Sequence, residues 1–185
     1  MDHKLLYNGK IELILGPMFS GKTTELIRRV KTFQISNRTC LVIKHLKDSR
    51  PDNLCSHDLQ ILDAIATLCL YELYNMSLLY NVIAIDEGQF FPDIVNFSEE
   101  MANIGKIVII SALDGTYLRN PFYNILKLIP LAEHVVKFHA ICKNCFKKAS
   151  FTKRTSNEVE LFIVGGADKY SPMCRTCYFD ESLII

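Results

Sequence analysis

The chain has 185 residues, 49% of them hydrophobic, which is enough for one main core with a small appended unit and too short for two large domains. With 21 basic and 20 acidic residues the formal charge is +1, so no global field draws the chain to nucleic acid or to an anionic membrane, and neither is expected as a partner. The N-terminal Met1-Asp-His-Lys-Leu-Leu-Tyr lacks a secretory pattern and no run approaches the ~18 apolar residues of a membrane span, so a soluble, intracellular protein is expected.

Lys10–Leu15 reads as a buried strand, and Thr23 to about Phe33 as a helix with Leu26, Ile27, Val30 and Phe33 on one face. Between them, Gly16-Pro17-Met18-Phe19-Ser20-Gly21-Lys22-Thr23 fits the phosphate-binding loop pattern at every fixed position, in the strand-to-helix context that the pattern requires. Such a loop turns backbone N–H groups and a helix N-terminus toward phosphate oxygens. Lys22 is placed to reach the outer phosphates of a nucleoside triphosphate, and Thr23 to offer its hydroxyl to Mg²⁺. Thr39–Ile43 is a second apolar strand, followed by a polar stretch over Lys44–His57 and a helix expected from about Asp58 to Tyr74. In the polar stretch, Arg50 could stabilise charge on a transferring phosphoryl group or could be a solvated loop cation.

Asn81–Ile85 is a third strand that delivers Asp86 and Glu87 at its C-terminal end, where open α/β sheets bind ligands. Asp86 suits the carboxylate that holds Mg²⁺ through its water shell, and Glu87 could take a proton from an attacking nucleophile. A helix after Pro92 to about Asn103 precedes strands at Ile107–Ser111 and near Val135–His139. The loop between those strands carries Leu113, Tyr117 and Phe122, whose aromatic rings could stack on a planar base or plug the core. Apolar strands alternating with helices predict an α/β fold with a parallel sheet covered on both faces.

The pattern changes near Ala140, giving an expected division into a P-loop domain over 1–140 and a small unit over 141–185. That unit contains β-like runs at Val159–Val164 and two Cys-x-x-Cys pairs, Cys142/Cys145 and Cys174/Cys177. Their thiolates have the knuckle spacing of a closed, structural Zn²⁺ site, although the 28 residues between the pairs exceed the ~15–20 of the commonest ribbon. Seven cysteines, an odd number, argue against a disulfide framework, and Cys55 is read as a loop residue. The five histidines form no ligand or triad spacing. Two other classes compete with an enzyme: a P-loop switch whose zinc unit binds nucleic acid, and an interaction module with a vestigial loop. No Asn-Lys-x-Asp guanine signature and no strong basic patch support the first.

Taken together, Gly16–Leu26, Lys47–Arg50, Ile85–Phe91, Ala112–Thr116, Thr152–Arg154, Gly165–Tyr170 and both cysteine pairs resemble the type II thymidine kinases of animals, bacteria and large DNA viruses. The resemblance implies a RecA-like P-loop domain and a zinc-bearing lasso domain, commonly in a homotetramer. It implies transfer of the ATP γ-phosphate to the 5′-hydroxyl of thymidine, with Mg²⁺, in nucleotide salvage for DNA synthesis. By the same resemblance Glu87 is the base, and Lys22 and Arg50 hold the transferring phosphate. Met18, Leu113, Tyr117, Phe122, Thr152 and Tyr170 surround the base, together with the backbone of Leu161, Phe162, Ile163, Val164 and Gly165. dTTP is the implied feedback inhibitor, and the cytoplasm, the host's if the chain is viral, the implied location. Where the family generally has Phe the chain has Tyr117, which bears on preference among nucleoside analogues.

Overall fold

The computed structural model describes residues 9–48, 53–55, 61–155 and 166–180. Its centre is a six-stranded, all-parallel sheet. In chain order, β1 (Lys10–Gly16) leads into α1 (Lys22–Ile35), and β2 (Cys40–His45) is followed by the short strands β3 (Asn53–Cys55), β4 (Ile61–Asp63) and β5 (Ile65–Thr67). A single helical turn, α2 (Tyr74–Ser77), precedes β6 (Val82–Ile85), and α3 (Ile94–Asn103) precedes β7 (Ile107–Leu113). Then come α4 (Tyr123–Leu128) and β8 (His134–Lys137). The strand order is β5-β2-β6-β7-β1-β8. Because every pair is parallel, the loops after β1, β2, β6 and β7 leave from the same edge.

The strands alternate side chains between two buried layers, as the two-residue period dictates. From β1, Ile11, Leu13 and Leu15 face a layer built with Phe91, Ile94, Phe97 and Met101 of α3 and its approach, and with Ile125 and Leu128 of α4. Ile14 faces the other layer, where Leu26, Ile27 and Val30 of α1 pack on Val42, Ala84 and Ile109. Of the helical face expected from Leu26, Ile27, Val30 and Phe33, α1 buries the first three, and Phe33 packs against them partly buried. Glu12 also points to the α1 side, and it escapes an uncompensated burial because Arg29 Nη1 meets its carboxylate at 2.6 Å.

The helix expected over 58–74 is not there. Residues 56–60 lie outside the described ones, and from Ile61 the chain forms β4 and β5, then a 3₁₀ turn at Leu70–Leu73. Ile65 and Thr67 are β-branched and pair beside Ile43 and His45, so a free sheet edge captures a segment whose local pattern was ambiguous. Cys55 ends β3, paired with Ile61, and is not in a loop. The short α4 goes beyond what the sequence pattern indicates.

Past Ala140 the sheet gives way to small antiparallel pairs: β9 (Ala140–Ile141) with β10 (Lys148–Ala149), and β11 (Phe151–Arg154) with β12 (Tyr170–Met173). A five-residue helix, α5 (Arg175–Phe179), follows. Ala140, Cys142, Ala149, Met173 and Cys177 form a separate small core, against which Phe19 of the β1–α1 loop packs. The β-like run at Val159–Val164 lies outside the described residues.

Candidate active site

The loop between β1 and α1 needs backbone that ordinary residues resist. Gly16 has φ 148, and a Cβ there would lie 2.6 Å from the carbonyl oxygen of Phe138; Gly21 has φ 83. Phe19, with φ 63, adopts the left-handed region without being glycine and is held there by its packing on the small core. The result is a turn that opens directly into α1. Ser20 Oγ and Lys22 Nζ both donate to the carbonyl of Pro17, each at 2.8 Å. The backbone N–H of Met18 donates to Thr152 Oγ1 at 3.0 Å, which fastens the loop to β11. Lys22 is thus folded over its own loop, above the N-terminus of α1, where an anion gains from both the cation and the helix dipole.

Asp86 follows β6 and is 1% exposed. Thr23 Oγ1 donates to its carboxylate, at 3.0 Å to Oδ2 and 3.3 Å to Oδ1. A hydroxyl and a carboxylate brought together beside a phosphate loop form a hard-oxygen set that fits Mg²⁺. Glu87 comes next, with φ 54 and ψ 40 in the left-handed region, and its carboxylate meets Gln89 where that of Asp86 meets Thr23. Gln89, 6% exposed, donates from Nε2 to Glu87 Oε2 at 2.5 Å and accepts from the N–H of Leu113 at 3.0 Å.

Beyond Leu113 at the end of β7, Tyr117 is half-buried and carries the Arg154 guanidinium 3.8 Å above its ring centroid. Arg154 also donates from Nη2 to the Tyr170 hydroxyl at 3.0 Å, and Tyr170 is its partner across the β11–β12 pair. Tyr178 donates its hydroxyl proton to the carbonyl of Tyr117 at 2.5 Å. Phe122, at the start of α4, is 8% exposed and packs in the main core. Thr152 and Tyr170 are buried. Arg50 and Leu161–Gly165 lie outside the described residues.

The four paired cysteines converge. Their sulfur atoms all lie within 4.8 Å of one another, and Cys145 and Cys174 are 3.5 Å apart, free thiols and not a disulfide. Tetrahedral zinc with bonds of ~2.3 Å places its sulfurs roughly 3.8 Å apart, so the cluster fits. Its electrostatics point the same way. Burial opposes ionisation of Cys142, but backbone N–H groups of Cys145, Cys174 and Asn144 outweigh it and hold that thiol below its ordinary range. The Asn144 amide favours the Cys177 thiolate, yet burial and the neighbouring sulfurs push that thiol up to about 12. Four thiols this close cannot all ionise without a cation among them.

Of the residues singled out in the sequence, the structure brings Thr23 and Asp86 together beside the phosphate loop, places Glu87 next to them in the chain, and gathers the four cysteines in a separate cluster. Sequence reasoning missed Gln89 and Arg154 as working parts. Both stand inside segments whose pattern draws attention to a neighbour, Glu87 and Thr152, and nothing in one dimension reveals that their side chains bridge distant elements.

A parallel α/β sheet with a phosphate loop, a threonine–carboxylate pair and a projecting second carboxylate at its carboxyl edge defines a nucleotide-binding phosphoryl-transfer protein, here with a four-cysteine unit attached. The thymidine kinase family profile matches residues 9–178. Thymidine kinase of Myxoma virus (strain Lausanne) is 54% identical over 175 residues, covering 94% of this chain and 98% of the viral protein. The cytosolic thymidine kinase of Homo sapiens is 54% identical over 175 residues, 94% of this chain and 75% of the human protein. Thymidine kinase of Vaccinia virus (strain Western Reserve) is 54% identical over 174 residues, 94% of this chain and 98% of the viral one. The chain belongs to the thymidine kinase family. Among the described residues no helix is long and apolar enough to cross a membrane.

Proposed function

We propose that the chain transfers the γ-phosphate of ATP to the 5′-hydroxyl of thymidine, giving dTMP and ADP. The observation that carries this reading is the convergence of the phosphate loop, the Thr23–Asp86 pair and Glu87 at one sheet edge, in a chain of this family. The loop Gly16–Thr23 surrounds the phosphates with its backbone N–H groups, apart from Pro17, which has none, and Met18, whose N–H is held by Thr152. Lys22 swings from the Pro17 carbonyl to the outer phosphate, and Arg50 shares the charge of transfer. Thr23 and Asp86 would hold Mg²⁺, which supplies charge neutralisation on the phosphate oxygens when bound with ATP. Glu87 takes the proton of the 5′-hydroxyl as the oxygen attacks.

Met18, Leu113, Tyr117, Phe122, Thr152 and Tyr170, with the backbone of 161–165, form the nucleoside seat in this proposal. Closing that seat excludes water, which would otherwise compete as acceptor. The chain divides near Ala140 into a kinase domain and a small domain, with Cys142, Cys145, Cys174 and Cys177 holding structural Zn²⁺. A homotetramer in the cytoplasm, inhibited by dTTP and serving salvage for DNA synthesis, completes the reading. A coupled assay with thymidine, deoxycytidine and deoxyuridine tests it. Phosphorylation of thymidine at a kcat/KM at least about 10-fold above deoxycytidine is expected, since a site built around one base edge rejects a mismatched one by 1.4 kcal/mol or more; equal use of all three, or none, overturns it.

A further inference from the structure

The turn after β6 contains a side-chain bridge that the family reading leaves without a task. Glu87 and Gln89 flank Gly88, and the turn closes through Phe90 N–H to the Glu87 carbonyl at 3.1 Å and Phe91 N–H to the Gly88 carbonyl at 3.2 Å. Gln89 is 6% exposed, so its amide must be satisfied within the protein. Its Oε1 accepts from the backbone N–H of Leu113 at 3.0 Å. A backbone N–H can only donate, so the amide oxygen is fixed toward Leu113 and Nε2 toward Glu87. There it donates to Oε2 at 2.5 Å, and an ionised carboxylate can only accept. Turning the amide over would set acceptor against acceptor and donor against donor, breaking both bonds at once.

The bridge is braced from outside the turn. Asn124 Nδ2 on α4 donates to the carbonyls of Gln89 at 3.1 Å and Phe91 at 3.0 Å. Its Oδ1 accepts from the N–H of Ile125 at 3.0 Å, which fixes that amide in turn. Titratable groups beside the turn include Lys47, whose Nζ lies 6.0 Å from the Phe90 ring centroid, and His45, whose ring centroid is 5.6 Å from that of Phe90, with Asp86 next in the chain. Against these charges a neutral amide orients a carboxylate without altering the net charge of the site.

We infer that Gln89 is a positioning residue that aims the Glu87 carboxylate and couples that aim to Leu113, where the nucleoside seat begins; this rests on Glu87 being the proton acceptor. Proton transfer demands reach and alignment, and a misplacement of about 1 Å can cost on the order of 10²-fold. The left-handed backbone of Glu87 projects its side chain, and the bridge to Gln89 sets where that side chain stops.

The test is steady-state kinetics with calorimetric thymidine binding for Gln89→Glu, Gln89→Met, Glu87→Gln and the double variant Glu87→Gln/Gln89→Glu. Gln89→Glu keeps an acceptor for the Leu113 N–H and sets a second carboxylate against Glu87 in place of the donor, so kcat should fall about 10-fold or more while the thymidine KM stays within about twofold. Gln89→Met loses both bonds, and KM should rise as well. In the Glu87→Gln background, Gln89→Glu should cost under about twofold more, because a residue acting through Glu87 has nothing left to act on. A kcat for Gln89→Glu within about twofold of the parent overturns the inference, as does an undiminished further loss in the Glu87→Gln background. If Glu87→Gln itself turns over normally, the reading of Glu87 as base falls and the inference with it. A crippled Glu87→Gln beside a harmless Gln89→Glu sinks the inference alone.

Discussion

The six-stranded sheet and the four-cysteine unit are ordered by different physics, and the difference tells which part of the catalyst depends on which force. Around the sheet, residues such as Ile83, Ile85, Phe91, Phe97 and Ile110 are fully buried between two helical layers. Each large side chain of this kind contributes roughly 1.5–3 kcal/mol through removal from water, so the layers hold without outside help. The C-terminal unit has two-stranded pairs and a core of Ala140, Cys142, Ala149, Met173 and Cys177. So small an apolar cluster falls short of the ordering entropy of its chain, and a metal held by the four cysteines, as proposed, would supplement it. The two meet at Phe19, at the Met18–Thr152 hydrogen bond and at the Arg154–Tyr117 stack.

The largest effect should come from striking the weaker region. Cys174→Ser removes one thiolate of the cluster, and we expect loss of the metal and of measurable thymidine binding, with the parallel-sheet core still giving a cooperative thermal transition. Metal analysis combined with calorimetry reads both. A variant that retains metal and thymidine affinity would show that the small unit holds itself together by packing, and the contrast would collapse.

Striking the stronger region should behave in the opposite manner. Phe97→Ala leaves a cavity under α3 in the main layer, and a loss of about 3–5 kcal/mol in unfolding free energy is expected. The thymidine KM of the protein that remains folded should stay within about twofold, since the site's residues sit at the sheet edge and not under α3. Urea unfolding and kinetics on the same preparation decide it; a stability loss below about 1 kcal/mol would mean the layer is less tightly packed than its burial indicates.

A smaller effect lies at the junction. Arg154 stacks on Tyr117 and bonds the Tyr170 hydroxyl, so it ties the loop after β7 to the β11–β12 ribbon. A partly desolvated cation–π contact is worth about 0.5–2 kcal/mol, so Arg154→Met should raise the thymidine KM by up to about 10-fold. The KM for ATP should hardly change. Equal shifts for both substrates would make Arg154 a general support of the fold.

The sheet was legible because its signal is local and repeated: continuous apolar runs, alternating with a helix whose Leu26, Ile27 and Val30 share one face. The phosphate loop and the cysteine pairs were legible because their chemistry demands fixed spacings. The segment from Ile65 was not, because its conformation is decided by a vacancy beside β2 that no local window contains. Gln89 and Arg154 escaped for a related reason: a polar residue next to a stronger motif has meaning only once the strand it bridges to is in place.

The smallest effect tests whether surface charge contributes to the sheet half at all. Glu25 on α1 accepts from Arg28 at 2.6 Å and Arg29 at 2.8 Å, and Arg29 continues to Glu12. The Arg28 hydrogen bond leads in holding the Glu25 carboxyl down at about 2, with Arg29 adding to it against the penalty of burial. A carboxyl held below its ordinary value of 4.5 contributes stability that is fully present above that value and is lost as pH falls toward about 2. Arg28 is 64% exposed, so screening reduces that arm, and Glu25→Gln should cost about 1 kcal/mol at neutral pH. The difference between parent and variant should shrink by pH 4, where the unfolded carboxyl is already taking up protons, and shrink also in molar salt. Urea unfolding at pH 7 and pH 4 measures it. A difference that stays constant with pH would place the effect of Glu25 in the packing of its side chain and not in its charge.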